Sequence, residues 1–127
     1  MITDHPVIAA LVVLWIAALL SALIDNIPFT AAMIPVLVGL QNEGVNVSVI
    51  WWALAMGVGM GGNGSHIGST ANVYIVTISE RLARETGNPA LAITPGLWIR
   101  KGTPVMLVTL ALCTIYIWAA YDYLYVA

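Results

Sequence analysis

Two clusters of polar residues interrupt the apolar stretches of this chain, Asp25-Asn26-Ile27-Pro28 and Gly61-Gly62-Asn63-Gly64-Ser65-His66. Asp25, Asn26, Asn63, Ser65, Thr70 and Asn72 supply the hard oxygens that a Na⁺ ion would need. In hydrocarbon an unpaired backbone amide or carbonyl costs on the order of several kcal/mol, so a break at membrane depth survives only where it lines a protein-enclosed site. Two such breaks in one short chain are the sequence pointer to the ion or substrate site of a secondary transporter. A broken helix also exposes partial charges. Carbonyls near Ile24 and near Gly59–Gly61 suit a cation, and amides near Pro28 and near Ser69 suit an anion or polar solute.

Several of these residues have a second, structural reading. Asp25 is the one acidic residue expected at membrane depth, where a carboxylate must be protonated, ion-paired or functional. It could equally cap the next helix, and the two roles are compatible. Asp25 and His66 are the candidate proton carriers, His66 because histidine titrates near neutral pH. A hydrogen-bonded structural histidine facing the unwound loop is an equal alternative. Asn72 either ligates or bonds a free backbone group across the break, and Ser69 reads as an N-cap. The Gly57/Gly61 spacing also matches a helix-packing face, which requires no substrate. Cys113 reads as a small buried hydrophobe; no intrachain disulfide can form, and no Cys/His metal-ligand spacing exists. No cofactor is expected beyond Na⁺ or H⁺ as coupling ion.

The elements that must position these residues follow from the apolar runs. The chain of 127 residues is 61% hydrophobic and only 8% charged, with a mean hydropathy of +0.94, a composition that belongs in a bilayer. Its net charge of −2 gives no footing for nucleic acid. Val7–Ile24 is long enough for about 27 Å of helix, but Val7–Leu40 as one helix would reach about 50 Å against a hydrocarbon core of about 30 Å. Pro28 also opposes a continuous helix. A re-entrant hairpin over 7–40 with its tip at 25–28 solves both problems, Pro28 opening the second arm.

After a polar loop at 41–47, a helix over 48–83 is expected to be unwound at 61–68, because six of the eleven glycines fall between Gly57 and Gly68. A polar connector at 84–102 and a terminal span at 103–121 complete the reading. Trp51, Trp52, Trp98, Trp118 and the C-terminal tyrosines fit interfacial belts. Every Lys and Arg (Arg81, Arg84, Arg100, Lys101) lies between residues 80 and 102, so the connector is expected to be cytoplasmic in a multi-pass cell-membrane protein. The fold class expected is therefore all-α integral membrane: one re-entrant hairpin, one broken transmembrane helix and one terminal transmembrane helix. Met1–Pro6 has no basic residue before the apolar run, which argues against a cleavable signal peptide and suits a piece of a longer membrane protein.

The stretches Ser21-Ala-Leu-Ile-Asp-Asn-Ile-Pro-Phe-Thr-Ala-Ala-Met-Ile-Pro35 and Trp51-Trp-Ala-Leu through Gly61-Gly-Asn-Gly-Ser-His-Ile-Gly-Ser-Thr-Ala-Asn72 resemble the second re-entrant hairpin and following broken helix of the ion transporter superfamily. The nearest branch is the ArsB/NhaD-like permeases, which include arsenite pumps, sodium–proton antiporters and the P protein. Citrate and dicarboxylate transporters share the plan, with a Ser-Asn-Thr tip where this chain has Asp25-Asn26-Ile27. The resemblance implies two inverted repeats with ions and substrate held between hairpin tips and broken helices. It places Asp25, Asn26 and Pro28 at the tip and Gly62, Asn63, Gly64 and Asn72 on the broken-helix side. The altered tip favours cation, proton or arsenite chemistry over carboxylates.

On this resemblance the chain is the last third or so of an inverted-repeat transporter and needs the N-terminal repeat or a complementary subunit, in a bilayer and as a homodimer when full length. The rival readings are an organic-anion permease segment and a non-transporting structural subunit. The pattern Gly59-Met-Gly-Gly-Asn-Gly64 also matches a dinucleotide-binding glycine motif, but no strand precedes it, so an enzyme is not expected.

Overall fold

The computed structural model describes residues 6–125. They form α1 (Pro6–Ser21), α2 (Asn26–Asn42), α3 (Ser48–Gly61), a 3-10 turn (Gly62–Gly64), α4 (Thr70–Thr86), a second 3-10 turn (Pro89–Leu91), α5 (Pro95–Ala119) and the short α6 (Tyr121–Leu124). The fold is all-α, with no strand among the described residues.

Helix α3 is the centre of the packing. On one side it meets α1 and α5 through Ala10, Leu14, Ala18, Val49, Ala53, Met106, Leu110 and Ile117. On the other it meets α2 through Ile50, Leu54, Val58 and Leu37. The α1–α3 contact is so close that side chains are excluded at two positions. A Cβ on Gly57 would collide with the Leu14 carbonyl and sit 3.1 Å from Ala17 Cβ, and one on Gly61 would collide with the backbone of Ala18. Leu14, Ala17, Ala18 and Ser21 form one buried stripe of α1, and the Gly57/Gly61 pair forms the matching groove.

The helix ends follow local signals. Asp25 caps α2 by accepting from the Ile27 amide, so α2 starts at Asn26. The non-helical residues of the hairpin are thus 22–25, not the expected 25–28. Pro28 lies in the first turn, where its missing N–H has no intrahelical partner to lose. Ser69 caps α4 through the Ala71 amide, and Gly87, at φ 63°, ends it in the left-handed conformation that glycine adopts freely. The connector is shorter than the 84–102 expected, because Thr94 accepts from the Leu97 amide and Pro95 occupies the first helical position. Helix α5 consequently begins eight residues before the expected span at Thr103.

The start of α1, the α2–α3 loop and the chain's last turns surround one cavity of about 240 Å³ lined by Pro6, Asn46, Ile50, Tyr121 and Tyr125. The hairpin tip, the unwound segment and the first turns of α5 meet one another elsewhere in the fold. Among the described residues, one stretch (Pro89–Ala119) is long and apolar enough to cross a membrane, and Pro6–Ser21 is a shorter apolar helix. Large apolar residues face outward on α1 (Val12, Ile16, Leu19) and α5 (Val108, Leu112, Ile115, Trp118), surfaces suited to hydrocarbon or further protein.

Alanine at Gly57 or Gly61 should cost about 1–3 kcal/mol by forcing α1 from α3. Alanine at Gly59, which has open space around it, should be neutral or gain up to about 1 kcal/mol. Thermal unfolding of the three variants in lipid nanodiscs checks this; equal stability for G59A and G61A would refute the close-packing account.

Candidate ion site

The site grows from the two interruptions of helix. Ser21, the one fully buried polar side chain among the described residues, ends α1 and joins the hairpin tip to the last turn of α3. Its hydroxyl donates to the Val58 carbonyl at 2.9 Å and lies within hydrogen-bond distance of Asn26 Oδ1. A Cβ on Gly62 would lie 2.9 Å from Asn26 Oδ1, and one on Gly68 would lie 2.8 Å from the Gly62 carbonyl and 3.0 Å from that of Ser21. The glycines at 62 and 68 therefore let the hairpin tip rest against bare backbone: a side chain at 62 would press on Asn26, and one at 68 on the backbone of Gly62 and Ser21.

Two further bonds join tip and break, and two more close the break on itself. The Ser65 hydroxyl donates to the Ala22 carbonyl, and the Thr70 hydroxyl donates to Asp25 Oδ2. Asn72 reaches back across the break, its amide donating to the carbonyls of Gly62 (2.8 Å) and Ser65 (3.1 Å). Asp25 therefore fills the capping role that was one of its two readings, Oδ1 capping α2, while Oδ2 ties the tip to the first residue of α4.

Four carbonyls of the unwound segment, those of residues 62–65, are engaged. Gly62 and Ser65 are engaged by Asn72, Asn63 by the Trp98 indole N–H at 3.1 Å, and Gly64 by the Thr103 hydroxyl at 2.9 Å. With these four carbonyls each accepting a hydrogen bond, the oxygens gathered at the tip and at the start of α4 are those of side chains, Asp25, Asn26 and Thr70.

Of the residues singled out by sequence, Asp25, Asn26, Gly62, Gly64, Ser65, Thr70 and Asn72 come together. Asn63 does not join them: it lines an open groove with Leu97, Trp98, Lys101 and Val105. Pro28 is exposed. His66 is half-buried, and its Nδ1 is buried without a hydrogen-bond partner among the described residues. Trp98, read as an interfacial aromatic, instead bonds the break, as does Thr103. Ser21 had one signal, being the lone polar residue of its apolar run; Trp98 and Thr103 had none.

Asn72→Ala should remove a side-chain donor from the Gly62 carbonyl and leave Ser65 with only the Gly68 amide, and cost about 1–3 kcal/mol. Thermal unfolding measures the loss, and an unchanged midpoint would mean that Asn72 does not hold the break.

The citrate transporter family matches residues 1–57. Similar proteins include the 46 kDa membrane protein of Mycobacterium leprae, 35% identical over 120 residues, covering 92% of this chain and 26% of that protein. An uncharacterized transporter of Mycobacterium tuberculosis is 39% identical over 118 residues, covering 91% of this chain and 26% of its own length. The P protein of Homo sapiens is 49% identical over 82 residues, covering 61% of this chain and 10% of that protein. The chain therefore spans about a quarter of the bacterial relatives and a tenth of the human one. No solved structure matches it.

Proposed function

We infer that this chain, a member of the ion transporter superfamily, is the C-terminal portion of a secondary active transporter that moves a small ion by alternating access, by Na⁺/H⁺ antiport or arsenite efflux. The observation that carries the reading is the Asp25–Thr70 bond. It sets a carboxylate between a hairpin tip and the restart of a broken helix, beside Asn26, Ser65 and Asn72. Such a carboxylate can exchange a proton for a cation, and its neighbours offer oxygens to either. His66 is the second candidate proton carrier, because its buried Nδ1 finds no hydrogen-bond partner among the described residues. The ion-binding set proposed is Asp25, Asn26, Ser65, Thr70 and Asn72, with Gly62 and Gly64 giving close approach. Asn63 and Pro28 lie at its margin.

The remaining site surfaces and the exposed apolar faces would be covered by an N-terminal repeat or complementary subunit and by lipid, in a homodimer of the full-length protein. All four cations lie between residues 80 and 102, which supports a cytoplasmic connector in the cell membrane. The match to the citrate transporter family favours one second reading, an organic-anion permease, although the tip carries Asp25 in place of a neutral residue.

The test is flux in proteoliposomes containing the full-length transporter, with Na⁺, arsenite or citrate gradients imposed. Asn is as good a helix cap as Asp, so Asp25→Asn should fold. It should lose proton-coupled Na⁺ or arsenite movement at least tenfold. Unaltered coupling in Asp25→Asn would reduce Asp25 to a cap, and citrate-driven uptake alone would establish the permease reading.

A further inference from the structure

The first turns of α5 form a cradle for the unwound segment. Trp98, Gly102, Thr103 and Met106 recur at the spacing of one helical face. Each touches residue 63 or 64. Trp98 Nε1–H donates to the Asn63 carbonyl at 3.1 Å, and Thr103 Oγ1–H donates to the Gly64 carbonyl at 2.9 Å. Gly102 makes the first bond possible: a Cβ there would lie 2.5 Å from the Asn63 oxygen and 2.8 Å from Trp98 Nε1. Gly64 in turn admits Met106, whose sulfur would lie 2.5 Å from a Cβ at that position.

We propose that Trp98 and Thr103 are positioning residues of the ion site: they hold two carbonyls of the unwound segment on α5 and so fix where Ser65, Thr70 and Asn72 stand. The proposal rests on the transporter reading. A flexible unwound segment would spend its carbonyls on any nearby donor or cation, and its side-chain ligands would have to be ordered at each binding event. Ordering a loop on binding weakens affinity, whereas a loop held in place beforehand does not carry that cost. The held geometry also biases selection toward the side-chain oxygens of Asp25, Asn26 and Thr70. Neither Trp98 nor Thr103 is bonded to any of these three side chains, so their action on the site is through the backbone of 63–65.

The experiment uses the full-length transporter with Trp98→Phe, Thr103→Val, Thr103→Ser and Gly102→Ala. Trp98→Phe keeps the ring and removes the donor; Thr103→Ser keeps the hydroxyl; Gly102→Ala removes no donor but blocks the Trp98 bond. Two readouts are taken: the half-saturating concentration of Na⁺ against maximal flux, and amide hydrogen exchange across 60–72.

Trp98→Phe, Thr103→Val and Gly102→Ala should each raise half-saturation about fivefold or more with maximal flux within twofold, and Thr103→Ser should resemble the parent. Exchange should quicken about tenfold within 62–69 and nowhere else. Unchanged half-saturation beside unchanged exchange overturns the proposal, and so does acceleration spread over all helices, which marks a merely structural role. If the parent protein shows no ion-dependent flux, the transporter reading fails. Exchange in the variants then still decides whether α5 holds the break, and unchanged exchange rejects that as well.

Discussion

A helix that unwinds inside an apolar layer leaves carbonyls and amides that water cannot reach, and each must be met by a donor or acceptor from the protein itself. Most of this structure can be understood from that constraint. The four carbonyls from Gly62 to Ser65 are met by three side chains from two helices: Asn72 on α4, and Trp98 and Thr103 on α5. The Ala22 carbonyl, at the end of the other interrupted helix, is met by Ser65. The second interruption thus helps to satisfy the first, through Ser65 and Thr70, while its own carbonyls are met from α4 and α5.

That satisfaction requires the two interruptions to lie at the same level, which the α1–α3 contact secures. With glycine at 57 and 61 the two backbones approach until Leu14 and Ala18 touch α3 directly, and Ser21 arrives beside the Val58 carbonyl. Were either glycine larger, α1 would stand off and the hairpin tip would lose Val58, Gly62 and Gly68 together. Packing energy and the polar site are thus set by the same stripe of small residues, and a change in one cannot be separated from the other.

Much of this was legible in the sequence because the signals were local. Glycine density marked the unwinding, Asp25 and Ser69 marked helix starts, and the Gly57/Gly61 spacing marked a packing groove. The limits of the hairpin turn were off by three residues because Pro28 was taken as the first helical residue, when a proline is equally tolerated anywhere in the first turn. The early start of α5 was missed because Arg100 and Lys101 made 95–102 look like loop, although Thr94-Pro95 is a helix-start signal. Trp98 and Thr103 were illegible for a deeper reason. Their partners are backbone atoms 35 and 39 residues away, and no side-chain pattern encodes a bond to a distant carbonyl.

The same separation has a consequence for how the protein is made. At a synthesis rate of roughly 5–20 residues per second, Trp98 leaves the ribosome some 2–7 s after Asn63. Over that interval the unwound segment has its glycines and carbonyls but not the α5 donors that satisfy them. The hairpin and α3 must wait near water, or in the shelter of the insertion machinery, until α5 enters. Trp15, which bonds Thr114 at 3.1 Å across 99 residues of chain, waits longer still. Satisfaction of the unwound segment is in this sense a late event of biogenesis, completed only by residues of α5.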